Sequence, residues 1–331
     1  MTKNINIAIN GFGRIGKCVL LQLLELENIN IRVINTSIDI KSIGKYINRD
    51  SVHGKRNYSV ETIGKYIVIG KHTIHIVNSR KLGEINWREL GAEYLFETTG
   101  AFLTSEELEL HQVENVLLSS PPKDNTKMFC FGVNHMEYKG EKIVSCASCT
   151  TNCITPILKF CIDMFGGIDE GSFITIHSAT SSQSVVDTAK DKTRTNRSIF
   201  NNIIPHTTGA SKSIDLIIPK IKGKVKGTSV RIPTSNVSMI DLNLRFIGNI
   251  SKLSFFKKLD ECSDKKIISI NRDNCVSSDF IGCDSPTIID YNSTIEITER
   301  SLKLQLWYDN EWSYAAQMIR MCQYINEFNE H

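Results

Sequence analysis

The feature that most constrains the fold is Gly11-Phe12-Gly13-Arg14-Ile15-Gly16, a G-x-G-x-x-G turn near the start of the chain. It follows the alternating run Ile5-Asn6-Ile7-Ala8-Ile9, which reads as a short strand. It opens at once into a helical pattern in which Ile15, Val19, Leu20, Leu23 and Leu24 share one face. Glycine permits the tight turn and lets the backbone approach a pyrophosphate, whose charge then sits on the helix N-terminus. The hexapeptide alone is a weak signal; strand, turn and helix in this order predict a dinucleotide site.

A second strand is expected at Ile31-Arg32-Val33-Ile34-Asn35. About 20 residues past the glycines, such a site ordinarily carries an acid for the ribose 2′-hydroxyl of NAD. Thr36 and Ser37 stand there instead, with Asp39 further along. Without a carboxylate nothing repels a 2′-phosphate, and two hydroxyls are available to donate to one. NADP is therefore expected to be accepted, or preferred; the competing reading keeps NAD and makes Thr36 a weaker ribose contact. Residues 66–69, 73–77, 94–97 and 115–119 read as further strands. Two of them end in Thr98-Thr99-Gly100 and Ser119-Ser120-Pro121-Pro122, which suits the carboxyl ends of parallel strands, where a cofactor lies. His53, His72, His75 and His111 are scattered without ligand spacing and read as surface or structural residues.

The second organising stretch is Ser145-Cys146-Ala147-Ser148-Cys149-Thr150-Thr151-Asn152-Cys153. Cys149 follows the β-rich Lys142-Ile143-Val144 and precedes an apolar run over residues 154–165, so it falls at a helix N-terminus. Unpaired N–H groups and the helix dipole there favour thiolate over thiol. A free cysteine is otherwise an ordinary small buried residue, so the nucleophile reading leans on the rest of the chain. With 331 residues, two domains are the default. Ten cysteines would suit disulfides in a secreted protein, yet Met1-Thr2-Lys3-Asn4-Ile5-Asn6 has no apolar leader core. Reduced thiols and a cytoplasmic location are expected. No run approaches ~18 apolar residues, so no membrane span is expected. A net charge of +3 is too small to imply a nucleic-acid partner.

Beyond Cys149 the texture changes. Residues 171–176, 227–232 and 237–246 read as longer strands with an antiparallel look. Between the first two lies a polar stretch over residues 178–197; so long a loop in a compact domain is usually functional. Pro219-Lys220-Ile221-Lys222-Gly223-Lys224-Val225-Lys226-Gly227 is a basic turn, read as a solvated connection. In residues 312–328, Ala315, Met318, Ile319, Cys322 and Ile325 form a helical face.

Asn10-Gly11-Phe12-Gly13-Arg14-Ile15-Gly16, Ser148-Cys149-Thr150-Thr151-Asn152 and Trp307-Tyr308-Asp309-Asn310-Glu311 together resemble the glyceraldehyde-3-phosphate dehydrogenase family. The likeness extends through Asp50-Ser51-Val52-His53-Gly54, Gly132-Val133-Asn134-His135, Thr207-Thr208-Gly209-Ala210 and Arg231-Ile232-Pro233-Thr234. It implies an α/β chain in two domains. A doubly wound Rossmann dinucleotide-binding domain would cover residues 1–148 plus 312–331. An α+β catalytic domain with a mixed, largely antiparallel sheet would cover 149–311. The resemblance also implies a homotetramer, with the polar loop after Ser178 near the cofactor and a subunit contact.

The chemistry implied is phosphorylating aldehyde oxidation. Cys149 would add to the aldehyde as thiolate to give a thiohemiacetal, whose carbon passes a hydride to NAD or NADP and becomes a thioester for inorganic phosphate to attack. His177, in Thr175-Ile176-His177-Ser178, matches the family's catalytic histidine, and imidazole titrates in the right range. Arg231 and Thr180 match the residues that hold the substrate's C3 phosphate; Ser148, Thr150, Thr208, Gly209 and Arg197 match those for the attacking phosphate. A guanidinium binds two phosphate oxygens at once and stays charged. Asn310 matches the residue orienting the nicotinamide carboxamide, with Tyr314 packed nearby. Gly11, Phe12, Gly13, Arg14 and Ile15 match the pyrophosphate loop, while Thr36, Arg80, Thr99, Gly100 and Ser119 match other cofactor contacts.

Several positions depart from the family. Thr36 replaces the expected acid, and Thr188 and Ala189 stand where NAD-specific members usually have Leu and Pro, which again favours NADP. Ser182 replaces an Asp, and the arginine-rich run after Lys190 is thinned to Arg194 and Arg197. Cys146 replaces an Asn, which allows a redox dithiol of Cys149 with Cys146 or Cys153. No metal site is expected, since neither flank supplies further zinc ligands at close spacing. The nearest rival activity is erythrose-4-phosphate dehydrogenation, which releases a free acid; that relative tends to lose the Thr-Thr-Gly-Ala cradle present at residues 207–210. A binding or interaction protein, including an RNA binder, is the rival of another class. Every catalytic position is filled and no basic stripe carries interleaved aromatics, so nucleic acid is not the expected partner.

Overall fold

A computed structural model of the chain describes residues 4–189 and 194–330. The chain divides into two compact units, one of residues up to Ser148 with Ala315 onward, the other Cys149–Tyr314. The division falls inside the last helix, Trp312–Glu330.

The first unit is built on a sheet whose strand Ile5–Asn10 is buried along almost its whole length. Continuous apolar burial of that kind belongs to a parallel strand covered on both faces. Among the described residues the sheet runs Ile143–Ser145, Asn115–Leu118, Tyr94–Glu97, Ile5–Asn10, Ile29–Asn35, His72–Val77, Tyr66–Ile69, Val60–Ile63. The first six are parallel and the last two form an antiparallel edge. The chain fills one side of Ile5–Asn10 and then crosses to Tyr94–Glu97 to fill the other. The crevice outside the carboxyl ends of those two strands is the place where such sheets bind ligands.

Helix Arg14–Leu23 starts at Gly13 with no side-chain cap, which leaves its first N–H groups available to a ligand. Gly11 has φ +91°, a left-handed conformation that glycine takes without strain. Gly16 seats the helix on the turn: a Cβ there would lie 2.1 Å from the Gly11 carbonyl oxygen and 2.8 Å from Thr98 Oγ1. One of those atoms is backbone, so the clash is not relieved by a rotamer. Gly16→Ala is expected to lower stability by about 2–4 kcal/mol. Gly13→Ala, whose Cβ meets nothing within 4 Å, is the control. Chemical denaturation of both compares them; equal midpoints would refute this packing argument. Asp50 clamps the same turn from below, accepting from Arg14 and from the buried Lys17. Burial alone would raise its carboxyl, but those two cations and the N–H groups of His53 and Val52 hold it well below the usual range.

The second unit carries a mixed sheet in the order Ile204–His206, Val225–Arg231, Ile168–His177, Ser238–Phe246, Ser301–Tyr308, Thr287–Asp290, Ile268–Asn271. Strand Ile295–Thr298 also pairs with Ser301–Tyr308. Most pairs are antiparallel, but two are not. Val225–Arg231 runs parallel to Ile168–His177, contrary to the antiparallel reading of residues 171–176 and 227–232. The physical reason is the long connection between them, which includes helix Ala210–Ile217 and so makes a crossover. Helix Cys149–Phe165 packs against this sheet with residues 150–158 buried.

Candidate active site

In the first unit a cavity of about 550 Å³ opens at the switch point. Gly11, Phe12, Gly13, Thr36, Ser37, Arg80 and Thr99 line it. Its floor is a hydrogen-bonded network around Glu97, which has no exposure to solvent. Asn10 Nδ2, the Thr99 N–H and the Thr99 hydroxyl donate to its carboxylate, and His111 Nε2 lies 3.2 Å from it. Trp87 Nε1 donates to His111 Nδ1, which assigns the His111 proton to Nε2 and so toward Glu97. His111 is therefore structural. An uncapped helix start, a left-handed glycine turn and a cavity at the carboxyl ends of the strands fit a dinucleotide.

Thr36 Oγ1 accepts from the Ile38 N–H at 3.1 Å, which leaves the hydroxyl proton free to donate. Asp39 caps helix Ile40–Asn48 by accepting from the Lys41 N–H, so its carboxylate is spent locally. The cavity lining includes Arg80 and Lys81 and, among the described residues, no Asp or Glu. Four expected cofactor residues of this unit do not line it. Arg14 is turned to Asp50, Ile15 lies in the first helical turn, Gly100 is exposed, and Ser119 sits half-buried past strand Asn115–Leu118.

In the second unit the parallel pairing sets His177 opposite Arg231 at the carboxyl ends of adjacent strands. Cys149 is the first residue of its helix, and its Sγ lies 3.5 Å from His177 Nε2. Thr150 follows, its hydroxyl 3.0 Å from that of Tyr308, which lies 2.9 Å from Thr175 Oγ1. The Tyr308 ring stands edge-on to the His177 ring at 6.1 Å. Burial pushes the Cys149 thiol up, against the pull of Arg231 and the Thr150 N–H and hydroxyl. His177, itself buried, is pushed down to about 3 by burial and by the Arg231 guanidinium, so its ring is neutral at ordinary pH. His177 Nδ1 lies 2.9 Å from the Ser178 carbonyl oxygen and 2.5 Å from Arg231 Nη1.

The remaining expected residues make local contacts of their own. Asn310 is buried, and its Oδ1 accepts from the hydroxyls of Ser178 and Ser238, both at 2.8 Å. Tyr314 is also buried. Thr180 shares a turn with Gln183, whose Oε1 accepts its N–H, and Ser182 joins the same hydroxyl cluster. Thr208 and Gly209 form the entry to helix Ala210–Ile217, and Ser148 precedes Cys149 as the last residue of the first unit. Arg197 is exposed and paired with Asp187 rather than with any of these residues. Thr188 bonds Ser184 through its hydroxyl, and Lys190 lies outside the described residues. Cys146 and Cys153 are buried free thiols, and burial pushes both upward.

Three residues that sequence reasoning passed over belong to the site. Tyr308 braces Thr150 and the His177 ring, and Ser178 with Ser238 fixes which end of the Asn310 amide faces inward. Tyr308 and Ser178 stood in quoted blocks, Trp307-Tyr308-Asp309-Asn310 and Thr175-Ile176-His177-Ser178, so their signal was present; Ser238 carried none.

Comparison with known proteins gives a consistent result. Residues 5–105 match the family model described as the glyceraldehyde 3-phosphate dehydrogenase NAD binding domain, and residues 148–310 match that of its C-terminal domain. A glyceraldehyde-3-phosphate dehydrogenase of Chlamydia pneumoniae is 36% identical over 98% of this chain and 99% of its own. Glyceraldehyde-3-phosphate dehydrogenase 2 of Schizosaccharomyces pombe is 37% identical over 96% of this chain and 97% of its own. A cytosolic counterpart from Leishmania mexicana is 36% identical over 95% and 97%.

Proposed function

The chain belongs to the glyceraldehyde 3-phosphate dehydrogenase family, and on that premise we propose that it oxidises D-glyceraldehyde 3-phosphate to 1,3-bisphosphoglycerate. The observation that carries the reading is the Cys149 sulfur at the head of a helix, 3.5 Å from a buried imidazole. Cys149 adds to the aldehyde carbon, and His177 manages the proton on the resulting oxygen. Arg231 and Thr180 hold the C3 phosphate; Thr150, Thr208 and Gly209 receive inorganic phosphate, with Ser148 and Arg197 in supporting roles. When bound, the coenzyme would supply the hydride acceptor, and Asn310 is proposed as the residue for its carboxamide. A steady-state assay with glyceraldehyde 3-phosphate, with and without phosphate, tests this. Turnover indifferent to phosphate would reject the phosphorylating reaction.

NADP is proposed as the favoured coenzyme. Arg80 and Lys81 in the lining, a Thr36 hydroxyl with its proton free, and an Asp39 already spent as a cap support it. Thr36→Asp is expected to shift the ratio of kcat/KM for NADP over NAD downward by about 10²-fold, since a carboxylate would face the 2′-phosphate. A parent enzyme that already prefers NAD a hundredfold would end the coenzyme assignment.

Homotetramer formation is proposed as well. Exposed Ile174, Val185, Val186, Phe200 and Ile203 in the second unit support self-association. Ten free cysteines support a reducing compartment, the cytoplasm. No helix among the described residues is long and apolar enough to cross a membrane.

A further inference from the structure

We propose that His206 is a further ligand for the attacking inorganic phosphate, its Nε2 accepting the hydrogen that hydrogen phosphate carries on one oxygen. The proposal deepens the phosphorylating reaction proposed above and rests on it. Strand Ile204–His206 pairs with Val225–Arg231, setting Ile204 opposite Arg231 and His206 opposite Ser229. Ser229 in turn stands opposite Thr175, and Arg231 opposite His177. Residues that face each other across strands, and those two apart along one, project to the same side of a sheet. Ile204 is buried and Pro205 exposed, so the shared side is the inner one. It is the side that helix Cys149–Phe165 covers, since the Thr175 hydroxyl meets that of Tyr308, which meets that of Thr150. His206 therefore ends a row, His206–Ser229–Thr175, that leads to the residue after the nucleophile.

From His206 the chain enters helix Ala210–Ile217 through Thr207, Thr208 and Gly209. Gly209 supplies no side-chain cap, so the first turn has N–H groups to offer an anion. Thr208 Oγ1 accepts from the Ala210 N–H at 3.2 Å, which leaves the Thr208 hydroxyl proton for a phosphate oxygen. Arg197, the cation expected here, is exposed and paired with Asp187 instead. His206 is half-buried, and its Nδ1 lies 2.7 Å from the Thr207 carbonyl oxygen. A carbonyl only accepts, so the hydrogen is on Nδ1. In the neutral ring Nε2 then keeps a lone pair, and it has no partner among the described residues.

A lone pair repels an ionised oxygen and accepts from a hydroxyl. Hydrogen phosphate carries both kinds of oxygen. Its ionised oxygens suit the Thr208 hydroxyl and the helix N–H groups, and its one hydroxyl suits Nε2. Held in that sense, the phosphate presents an ionised oxygen to the thioester carbon. The new O–C bond forms, the C–S bond breaks, and sulfur leaves with the electron pair. The proton stays on the phosphate, so the dianion becomes an acyl phosphate with one charge and the thiolate carries the other.

Two substitutions separate the ring nitrogens. His206→Asn keeps an N–H near the place of Nδ1 for the Thr207 carbonyl and removes Nε2, whereas His206→Gln sets an amide near the place of Nε2. At about pH 8, where an ordinary imidazole is neutral, His206→Asn is expected to raise KM for phosphate about tenfold. KM for glyceraldehyde 3-phosphate should hold, and His206→Gln should keep KM for phosphate within about threefold of the parent. An asparagine variant equal to the parent, or an aldehyde KM that rises as far as the phosphate one, overturns the proposal. Nitrogen-15 NMR of the full-length protein labelled at histidine reads the contact without turnover, with His206 assigned by its loss in either variant. The Nε2 signal is expected to move as inorganic phosphate is added and to stay unmoved with sulfate, a dianion with no hydroxyl. An equal response to both anions, or none to phosphate, overturns the proposal. A protein that binds phosphate in this way yet oxidises glyceraldehyde 3-phosphate without needing it would fail the proposed function separately.

Discussion

Cys149→Ala is expected to lower kcat for aldehyde oxidation by on the order of 10⁴-fold or more, because the thioester needs a sulfur at this place and Cys149 supplies the one in contact with His177 among the described residues. The site itself should survive the change. Thr150, Tyr308 and Thr175 keep their hydroxyl chain, and the helix start remains packed. Cys149→Ser sharpens the point. A serine hydroxyl fills nearly the same space, but its proton is far harder to remove than a thiol's and the oxygen is the poorer nucleophile. The serine variant should therefore fall almost as far as the alanine one. Rapid mixing with substrate, followed by intact-protein mass, reads the outcome: an acyl adduct on the parent and none on either variant. Turnover by Cys149→Ala within tenfold of the parent would remove the sulfur from the mechanism.

How much of this was legible beforehand depends on whether the signal is local. The glycine turn announces itself because each glycine answers a local need, most plainly Gly16 against the Gly11 carbonyl. Cys149 at a helix start is equally local, a matter of small hydroxyl residues before an apolar run. The parallel pairing of Ile168–His177 with Val225–Arg231 is not local, because strand direction is set by what the intervening chain does, and alternation is the same for either direction. That pairing is what brings Arg231 to His177. Asp39 shows the limit from the other side: sequence position cannot tell where a carboxylate past the second strand is directed, and its side chain has a near partner in the Lys41 N–H. Arg197 is similar, since sequence register cannot reveal that Asp187, ten positions earlier, takes the guanidinium.

The two active groups also depend on each other's surroundings. Burial raises the thiol and lowers the imidazole, so in the free protein both lean toward neutrality, while Arg231 brings a fixed positive charge into contact with the pair. The sulfur needs only a transient charge, supported by helix N–H groups and by the guanidinium.

His177→Asn is the second change with a large expected effect, and it has a kinetic and a thermodynamic side. Losing the base should lower kcat by about 10²–10⁴-fold. Deuterium at the aldehyde carbon should then slow turnover in the variant, because hydride transfer becomes the slow step. The thermodynamic side follows from linkage. His177 titrates at about 3 in the folded protein and near 6.5 in an unfolded chain, so the unfolded state binds the extra proton between those values. Its contribution to stability is complete above about pH 6.5 and is lost as pH falls toward 3. At about pH 5 the loss is roughly 2 kcal/mol relative to about pH 7.5, and the asparagine side chain of the variant has none to lose. Denaturation of parent and variant at both pH values should therefore show the variant gaining about that much on the parent in acid. A stability gap that stays constant with pH would mean His177 titrates near its ordinary value, and with it would go the neutral ring on which the Arg231 contact depends.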